Sequence, residues 1–593
     1  MTISRKILTL IVSAVVAATA WADDARYPVS AIPDSLKTGC DAVVRQSEQT
    51  VTVASPTEFE VVVTEVVTVL NKNGVSAAAF SVTTDDFEKL SDFRGAIYDA
   101  AGKEVERIKR SNLLRSEYSG QHTLADDNVN FLYKPEQKEY PYTVEYSFKM
   151  TRKKLTQTYP SFIPLPATET SVMSASYKLI TPKGMEVLTQ EYNPCWTMTT
   201  DENAKTKTTE RVWKVAGLRG MKEDQYMPPR ERFLPMLFVE PKLFRFDDQV
   251  VSNESWESYG QWISHLMEGR GALPPELQSK VHELTDNLTA RRDKVKALYE
   301  YMCENCRYMN VSLGIGGLQP KPVADTYRTK YGDCKALVFF MLSMLREIGI
   351  ESNMCLISTK NVRINPDMAA HQGINHVILK VPADGDEETM WVECTNSQLP
   401  FGYIHNSMDG HDVIVIADSK SHLETIPEQT PDYHQTRITG TLNVAATGEI
   451  LGKWSVEEPD EETKTKDYKS RKAASQNKIM VEANPFNEGF GKIRTSRKYD
   501  IYKSLAYSEY DSITYKLPEN YEVDLAPMGA DEKCPFGSFV ATYKYDAEQH
   551  TLTIVQHLQM FRGAFPKTAA TEMKRFYDLI GKHRKATVML KSK

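Results

Sequence analysis

One cysteine of this chain has the neighbours that a nucleophile needs. Cys334 follows Asp333, a residue that caps helices well, and the apolar residues after it recur at helical spacing until Arg346 and Gly349 end the pattern. Cys334 would therefore stand in the first turn of a helix, where the positive end of the helix dipole favours the reactive thiolate. The apolar positions of this helix are Ala336, Leu337, Phe340, Met341, Met344 and Leu345.

A β-hairpin predicted downstream of this helix supplies a base and a group to orient it. Its arms run from Asn375 to Val381 and from Met390 to Thr395, and Asp384-Gly385 is a favoured two-residue turn. A turn centred on that dipeptide would place His376 directly opposite Glu393. Opposed side chains in an antiparallel pair have Cβ atoms about 5 Å apart, so imidazole and carboxylate would be within hydrogen-bonding reach. The spacing predicts a Cys-His-Glu arrangement for nucleophilic catalysis.

Six short motifs surround these residues: Arg307-Tyr308, Gly314 to Pro320, Tyr331 to Lys335, Asn375 to Val377, Trp391 to Thr395 and Leu399 to Gly402. Together they make the segment from about Tyr299 to Gly402 resemble the transglutaminase-like superfamily, which shares the papain-like cysteine-protease fold. The resemblance implies that Cys334 is the nucleophile and His376 the general base. Glu393 stands where this family usually has Asp.

The flanking regions read as β-rich. In the N-terminal part an alternating pattern runs from Phe59 to Leu70, breaks at Asn71 to Gly74 and resumes from Val75 to Val82, which is typical of a hairpin within a β-sandwich or a large twisted sheet. Strand patterns return after about Asp432, and an amphipathic helix follows Pro566, with Met573, Phe576 and Ile580 among its apolar positions.

The predicted fold class is therefore α+β and multidomain. We expect a β-sandwich-like N-terminal domain over residues 23–240, a papain/transglutaminase-like α+β core over 241–430, and a β-rich C-terminal domain with a terminal helix over 431–593. The whole arrangement resembles secreted proteins of Bacteroides-type bacteria that join an uncharacterised β-rich N-terminal domain to such a core.

The first residues indicate export. Arg5 and Lys6 precede the apolar run Ile7 to Ala18, and Ala20-Trp21-Ala22 provides small residues for cleavage, which predicts a signal peptide over about residues 1–22. No later stretch is long and apolar enough to span a bilayer. We expect a periplasmic or secreted protein without a transmembrane segment after cleavage.

Composition and motifs narrow the partners. The formal charge is −7 and becomes −9 when Arg5 and Lys6 leave with the signal peptide, which argues against nucleic acid as a ligand. The Gly-rich stretch Gly314 to Gly317 lacks the strand-to-helix context of a dinucleotide fingerprint, and no phosphate-binding loop is present. No cofactor and no metal are implied. The expected partners are a protein or peptide substrate, or a glycan or peptide of the cell envelope.

The other cysteines have less reactive interpretations. Cys303-x-x-Cys306 ends a helical stripe and is more typical of packing or a disulfide than of a redox or zinc site. Cys355 and Cys394 are candidates for a disulfide with each other. Two donors are candidates for stabilising an oxyanion, the side chain of Gln319 and the backbone amide of Cys334.

The predicted chemistry is acyl transfer. His376 would take the proton of Cys334, the thiolate would attack an amide carbonyl, and water or an amine would resolve the thioester. We expect a peptidase or amidase, with transamidation as the amine branch. The alternative is a catalytically weak or inactive scaffold that binds protein or glycan. A sulfur within about 4 Å of the imidazole, at the foot of an open cleft, would favour catalysis.

Overall fold

The computed structural model describes residues 25–117, 123–165, 167–360, 364–369, 373–471, 477–487, 489–491 and 493–593. The predicted signal peptide, residues 1–22, lies outside the described residues. Within them the architecture is an α/β middle region between two regions dominated by strands, which confirms the α+β, multidomain fold class. No helix in these ranges is both long and apolar enough to cross a bilayer.

The N-terminal region is built on one large mixed sheet. Its strand order is β12-β13-β10-β1-β2-β9-β4-β5, in which only β1 and β10 run parallel, and small sheets pair β11 with β14, β15 with β16, and β3 and β6 with β8. The elements are α1 (Asp34–Lys37), β1 (Ala42–Ser55), β2 (Glu58–Val69), β3 (Phe80–Thr84), β4 (Glu88–Tyr98), β5 (Glu104–Lys109), β6 (Leu114–Glu117), β7 (Thr123–Asp126), β8 (Val129–Tyr133), β9 (Tyr142–Lys153), β10 (Thr170–Pro182), β11 (Val187–Tyr192), β12 (Thr197–Asn203), β13 (Thr208–Leu218), β14 (Met236–Pro241), β15 (Leu243–Phe246) and β16 (Gln249–Ser252).

The hairpin predicted across Asn71 to Gly74 is wrong. β2 pairs with β1 and β9, whereas β3 pairs with β8, and the segment between β2 and β3 forms a 3-10 helix over Lys72–Ala78. The Asn71 side chain accepts from the amide of Asn73 and donates to Asp41, so it caps this helix and does not occupy a hairpin turn. Gly74 is packed so closely on Asp41 that an added Cβ would lie 2.1 Å from its carbonyl oxygen.

The middle region places helices against an antiparallel sheet with the order β22-β21-β20-β23-β24. The helix predicted to begin at Cys334 is confirmed as α6. The elements are α2 (Trp256–Met267), α3 (Pro275–Thr285), α4 (Arg291–Asn305), β17 (Arg307–Tyr308), β18 (Asn310–Ser312), α5 (Val323–Thr329), β19 (Tyr331–Gly332), α6 (Cys334–Glu347), β20 (Asn353–Ile357), β21 (His376–Val381), β22 (Met390–Val392), β23 (Asp412–Ile416) and β24 (His422–Thr425).

Helix α6 is the centre of this region. Every residue from Lys335 to Leu345 is buried, because α3, α4 and α5 cover one side of the helix while β20 and β21 cover another. A helix that is apolar all round has no solvent face and is expected to lie inside a core. The residue at its N-terminus is thus held by the packing of the whole element.

The C-terminal region contains a second large sheet with the order β27-β26-β25-β30-β34-β33-β32 and a smaller sheet, β28-β36-β31. The predicted terminal helix is confirmed as α7, with Met573, Phe576 and Ile580 in the core, and one further strand, which the sequence did not indicate, follows it. The elements are β25 (Gln435–Val444), β26 (Glu449–Glu458), β27 (Glu461–Arg471), β28 (Lys478–Glu482), β29 (Ile501–Lys503), β30 (Tyr507–Lys516), β31 (Tyr521–Leu525), β32 (Ala530–Cys534), β33 (Gly537–Asp546), β34 (Thr551–Met560), β35 (Gly563–Phe565), α7 (Ala570–Arg584) and β36 (Thr587–Ser592).

Candidate active site

Cys334 is the first residue of α6 and is partly exposed. Asp333 caps the helix as predicted, since its Oδ1 accepts a hydrogen bond from the amide of Ala336 at 2.9 Å. The other carboxylate oxygen of Asp333 pairs with the ammonium of Lys335, and both side chains are buried. The cap and this ion pair fix the backbone on either side of the sulfur.

The hairpin that carries the base exists, but its predicted register is wrong by two residues. The observed pairs are Leu379 with Val392, Lys380 with Trp391, and Val381 with Met390. The turn residues are Gly385 and Asp386, closed by hydrogen bonds between Asp384 and Glu387. Gly385 has φ +59°, which suits the first central position of a type II′ turn and explains why the turn lies one residue later than expected.

The corrected register makes His376 and Glu393 diagonal neighbours. Continued past Val392, it places Glu393 opposite Ile378 and Thr395 opposite His376. Because side chains alternate with a period of two, a shift of two residues leaves His376 and Glu393 on the same side of the ladder. Diagonal positions are about 7–8 Å apart, a span that long side chains can cross.

The two side chains do meet. His376 Nε2 lies 2.7 Å from Glu393 Oε2, and both groups are largely buried. Glu393 Oε1 accepts from the amide of Thr395 at 2.7 Å and from its hydroxyl at 2.6 Å, so both carboxylate oxygens are occupied. Asn375 ties the start of β21 to the end of β20, since its Oδ1 accepts from the amide of Thr359 at 2.9 Å.

His376 also contacts the thiol. Burial disfavours charge on the imidazole, but hydrogen bonds to Cys334 and Glu393, together with their negative charge, outweigh it and raise the pKa of His376 to about 10. Burial opposes ionisation of Glu393 as well, yet its bonds to His376 and Thr395 leave the pKa of that carboxyl lowered. Since Nε2 is bound to Glu393, Nδ1 is the ring nitrogen left for exchange with the sulfur. The arrangement suits a thiolate–imidazolium pair backed by a carboxylate.

Gln319 is anchored on the loop that follows β18. Its Nε2 donates to the carbonyl of Leu266 at 3.1 Å, and its Oε1 accepts from Arg270 at 2.7 Å. A side chain with these partners shapes the loop, and its role as an oxyanion donor stays a prediction. The amide of Cys334 belongs to the first turn of α6, where N–H groups have no partner within the helix. That amide is the better placed of the two predicted donors.

The remaining cysteines are free in this structure, and the bridge conceived between Cys355 and Cys394 is wrong. Cys355 packs with Ile378 and Trp391, whereas Cys394 belongs to the core cluster around α6, so the sheet separates the two thiols. Burial raises the pKa of both Cys303 and Cys306 to about 11, which disfavours reactive thiolates there. Among the described residues, no group of three or more His, Cys, Asp or Glu is arranged to hold a metal ion.

Thr395 and Lys335 are the residues that the sequence reasoning missed. Thr395 lies two positions after Glu393 and donates both its amide and its hydroxyl to that carboxylate. The nearness of the two residues in the sequence is the signal that could have identified this contact. Lys335 pairs with Asp333 because both side chains are buried. The only sign of this burial in the sequence is the run of apolar residues after Lys335.

Three family models match the chain. Residues 278–399 match the transglutaminase-like superfamily, and residues 56–220 and 477–590 match two domains of unknown function, DUF3857 and DUF3858. The match in the middle covers Cys334, His376 and Glu393. No curated protein matches the chain.

One solved structure resembles almost the whole chain. It is a candidate protease from Parabacteroides distasonis, with a TM-score of 0.67 and 13% sequence identity, and the match covers 93% of this chain and 99% of that one. At this identity the likeness shows the fold alone. A candidate cysteine protease from Cytophaga hutchinsonii matches with a TM-score of 0.18 and 8% identity over 70% of this chain and 90% of that one.

The sequence motifs, the helix-headed cysteine and the family match agree with one another. The resemblance first drawn from the motifs is confirmed. The chain carries a core of the transglutaminase-like superfamily between two domains of unknown function.

Proposed function

We propose that this protein is a cysteine-nucleophile hydrolase that cleaves peptide or amide bonds through a thioester. Cys334 is the nucleophile, His376 the general base and acid, and Glu393 the group that orients the imidazole. The observation that carries this proposal is the continuous contact from thiol to imidazole to carboxylate, in which His376 bonds to both neighbours. A residue arrangement of this kind activates a thiol on many folds.

The steps follow from the geometry. His376 takes the proton of the Cys334 thiol, and its raised pKa of about 10 favours the charged imidazole at neutral pH. The thiolate attacks the substrate carbonyl, and the negative charge on its oxygen is accepted by the amide of Cys334 at the N-terminus of α6. As the C–N bond breaks, the imidazolium gives its proton to the leaving amine, which leaves a thioester on Cys334.

Deacylation reverses these roles. His376 takes a proton from water, the hydroxide attacks the thioester carbonyl, and the thiolate leaves as the carboxylic acid is released. An amine in place of water would give a new amide, which is transamidation. The apolar run and cleavage motif near the N-terminus favour a periplasmic or secreted location, so we propose proteins, peptides or peptide-bearing glycans of the envelope as the substrate pool.

Selective alkylation tests the activated thiol. Iodoacetamide at pH 7 should label Cys334 of the intact protein within minutes, and Cys334→Ala should lose that label. Cys195 is the matched control because it is the exposed cysteine of the chain and burial has raised its pKa. Cys195→Ala should leave labelling of Cys334 unchanged. Equal labelling rates at the two sulfurs would contradict activation.

Turnover decides between the enzyme and the inactive scaffold. The wild type is incubated with a complex peptide mixture beside Cys334→Ala, and products are read by mass spectrometry. New termini that require Cys334 indicate hydrolysis, and new amide cross-links that require it indicate transamidation. An activated thiol with no turnover of any peptide would support the scaffold.

A further inference from the structure

A short parallel strand pair leads directly to the sulfur. In that pair Arg307 of β17 lies opposite Tyr331 of β19, and Tyr308 lies opposite Gly332. Two residues beyond Gly332, the segment that contains β19 has become helix α6 at Cys334. The segment that contains β17 instead continues in extended form as β18. Strand β19 therefore ends just before the nucleophile, and in the described part of the chain no strand pairs with the edge of β18 beside it.

The hydrogen bonds show which edge is uncovered. The amides of Arg307 and Met309 donate to the carbonyls of Lys330 and Gly332, so these two residues direct their main-chain groups toward β19. In an extended chain, alternate residues present their N–H and C=O to the same edge. Val311 is the next residue in this series. Its N–H and C=O therefore point to the side on which Cys334 lies.

The opposite edge of β18 is already occupied. β7, from the N-terminal region, pairs with β18 in parallel, with Ser312 opposite Asp126, and the carbonyl of Ser312 accepts from the amide of Asp127 at 3.1 Å. The Asp127 carboxylate accepts from the amide of Gly314 at 2.8 Å, which fixes the start of the next loop. Val311 is opposite Ala125 of β7 across this edge, and within the described residues no strand pairs with the other edge of β18.

An apolar side chain flanks the uncovered edge. Leu313 is 49% exposed, two residues beyond Val311 and next to the loop that Asp127 anchors. Leu124 of β7 is similarly exposed at 52%, but its strand lies on the far edge of β18. Leu313 therefore lies beside the uncovered edge, and Leu124, with a similar exposed fraction but one strand further away, is a matched control.

We propose that the uncovered edge of β18 is the main-chain binding site for an extended polypeptide substrate, which pairs with Val311 and places an apolar side chain against Leu313. Recognition of this kind takes affinity from backbone hydrogen bonds and specificity from alternate side chains. The inference rests on the proposed function and names the substrate class, an extended peptide segment with an apolar residue near the scissile bond. Pairing with β7 on the opposite edge keeps β18 in the extended conformation that such a substrate requires.

Backbone methylation of the substrate tests the pairing. A cleaved peptide is resynthesised with a single N-methyl amide at each successive position, since methylation removes one donor and leaves the side chains unchanged. We expect kcat/KM to fall by about tenfold or more at the position that pairs with Val311, and by less than about threefold at positions facing away from the edge. A uniform profile across all positions would overturn the pairing.

The two leucines test the apolar contact. Leu313→Ser should lower kcat/KM by about tenfold for peptides with an apolar residue at the selected position and should have little effect when that residue is Ser. Leu124→Ser is the control and should leave both values unchanged. Equal effects of the two substitutions would overturn the contact with Leu313.

A binding measurement separates this inference from the proposed function. Cys334→Ala, which cannot turn over, is titrated with a fluorescent apolar peptide by anisotropy, with and without Leu313→Ser. If no peptide is cleaved by the wild type but binding weakens about tenfold with Leu313→Ser, the hydrolase proposal fails and the binding edge holds. If peptides are cleaved but Leu313→Ser changes neither binding nor kcat/KM, the assignment of the binding edge is wrong and the hydrolase proposal is supported.

Discussion

Glu393 offers a sharp test of the site because its reach depends on the corrected register. From its diagonal position it brings Oε2 to 2.7 Å from His376 Nε2. Glu393→Gln keeps the length of the side chain and removes its charge. Glu393→Asp keeps the charge and removes one methylene, which restores the residue usual in this family but shortens the reach.

The magnitudes follow from the geometry. A hydrogen bond to a charged group contributes about 1.5–3 kcal/mol, and a factor of ten corresponds to about 1.4 kcal/mol, so Glu393→Gln should slow alkylation of Cys334 and peptide turnover by about 10- to 150-fold. Shortening the side chain by one C–C bond of about 1.5 Å moves the carboxylate to about 4 Å from the imidazole, beyond hydrogen-bonding distance. Glu393→Asp should therefore fail to restore the rate.

The assay is the rate of iodoacetamide labelling at Cys334 between pH 5 and pH 10. The charged form of an imidazole with a raised pKa persists below that pKa and is lost as the pH rises through it. The wild-type rate should therefore change little up to about pH 9, since the pKa of His376 is about 10. In Glu393→Gln the loss of the imidazolium should begin at lower pH. A Glu393→Asp protein with the wild-type rate and profile would refute the diagonal geometry.

Three further predictions concern positioning and stability. Thr395→Val removes the hydroxyl bonded to Glu393 and should lower kcat about fivefold and displace the basic limb of the pH profile, with no change in melting temperature; an unchanged profile would argue against positioning. Glu240 is buried, its carboxylate oxygens have no hydrogen-bond partner in the described part of the chain, and burial raises its pKa to about 8. Its destabilising effect should therefore grow from about pH 4.5 to pH 8, and Glu240→Gln should raise the free energy of unfolding by up to about 4 kcal/mol at pH 8 and by little at pH 4, which pH-dependent denaturation can check. Arg562→Met leaves the buried Asp409 without its cation and should cost about 3–5 kcal/mol in chemical denaturation, and adding Asp409→Asn should recover part of that loss.

Much of the site could be predicted because its signals are local. The cap at Asp333, the helical period after Cys334 and the hairpin around His376 are each set by residues within a few positions of one another. The register was missed because Asp384-Gly385 and Gly385-Asp386 both make acceptable turns, of types I′ and II′. Packing chooses between them, and a sequence pattern of period two is unchanged by a shift of two residues.

The pairing of distant segments could not be predicted. β3 leaves β2 and joins β8 because Asn71 and Gly74 dock on Asp41, a contact that no local pattern announces. The strand after α7 was missed for a related reason. β36 is short, and it is a strand because it pairs with β28 and β31, which lie far from it in the sequence.

Helix α6 sets a limit on how this chain can diversify. Its nucleophile stands at the start of a helix in which every residue from Lys335 to Leu345 is buried. A larger or smaller side chain at any of these buried positions should shift helix α6, and with it the sulfur, even where the protein still folds. Changes of specificity are therefore expected in the strands and loops around the sulfur, where substitutions leave the packing of the helix unchanged.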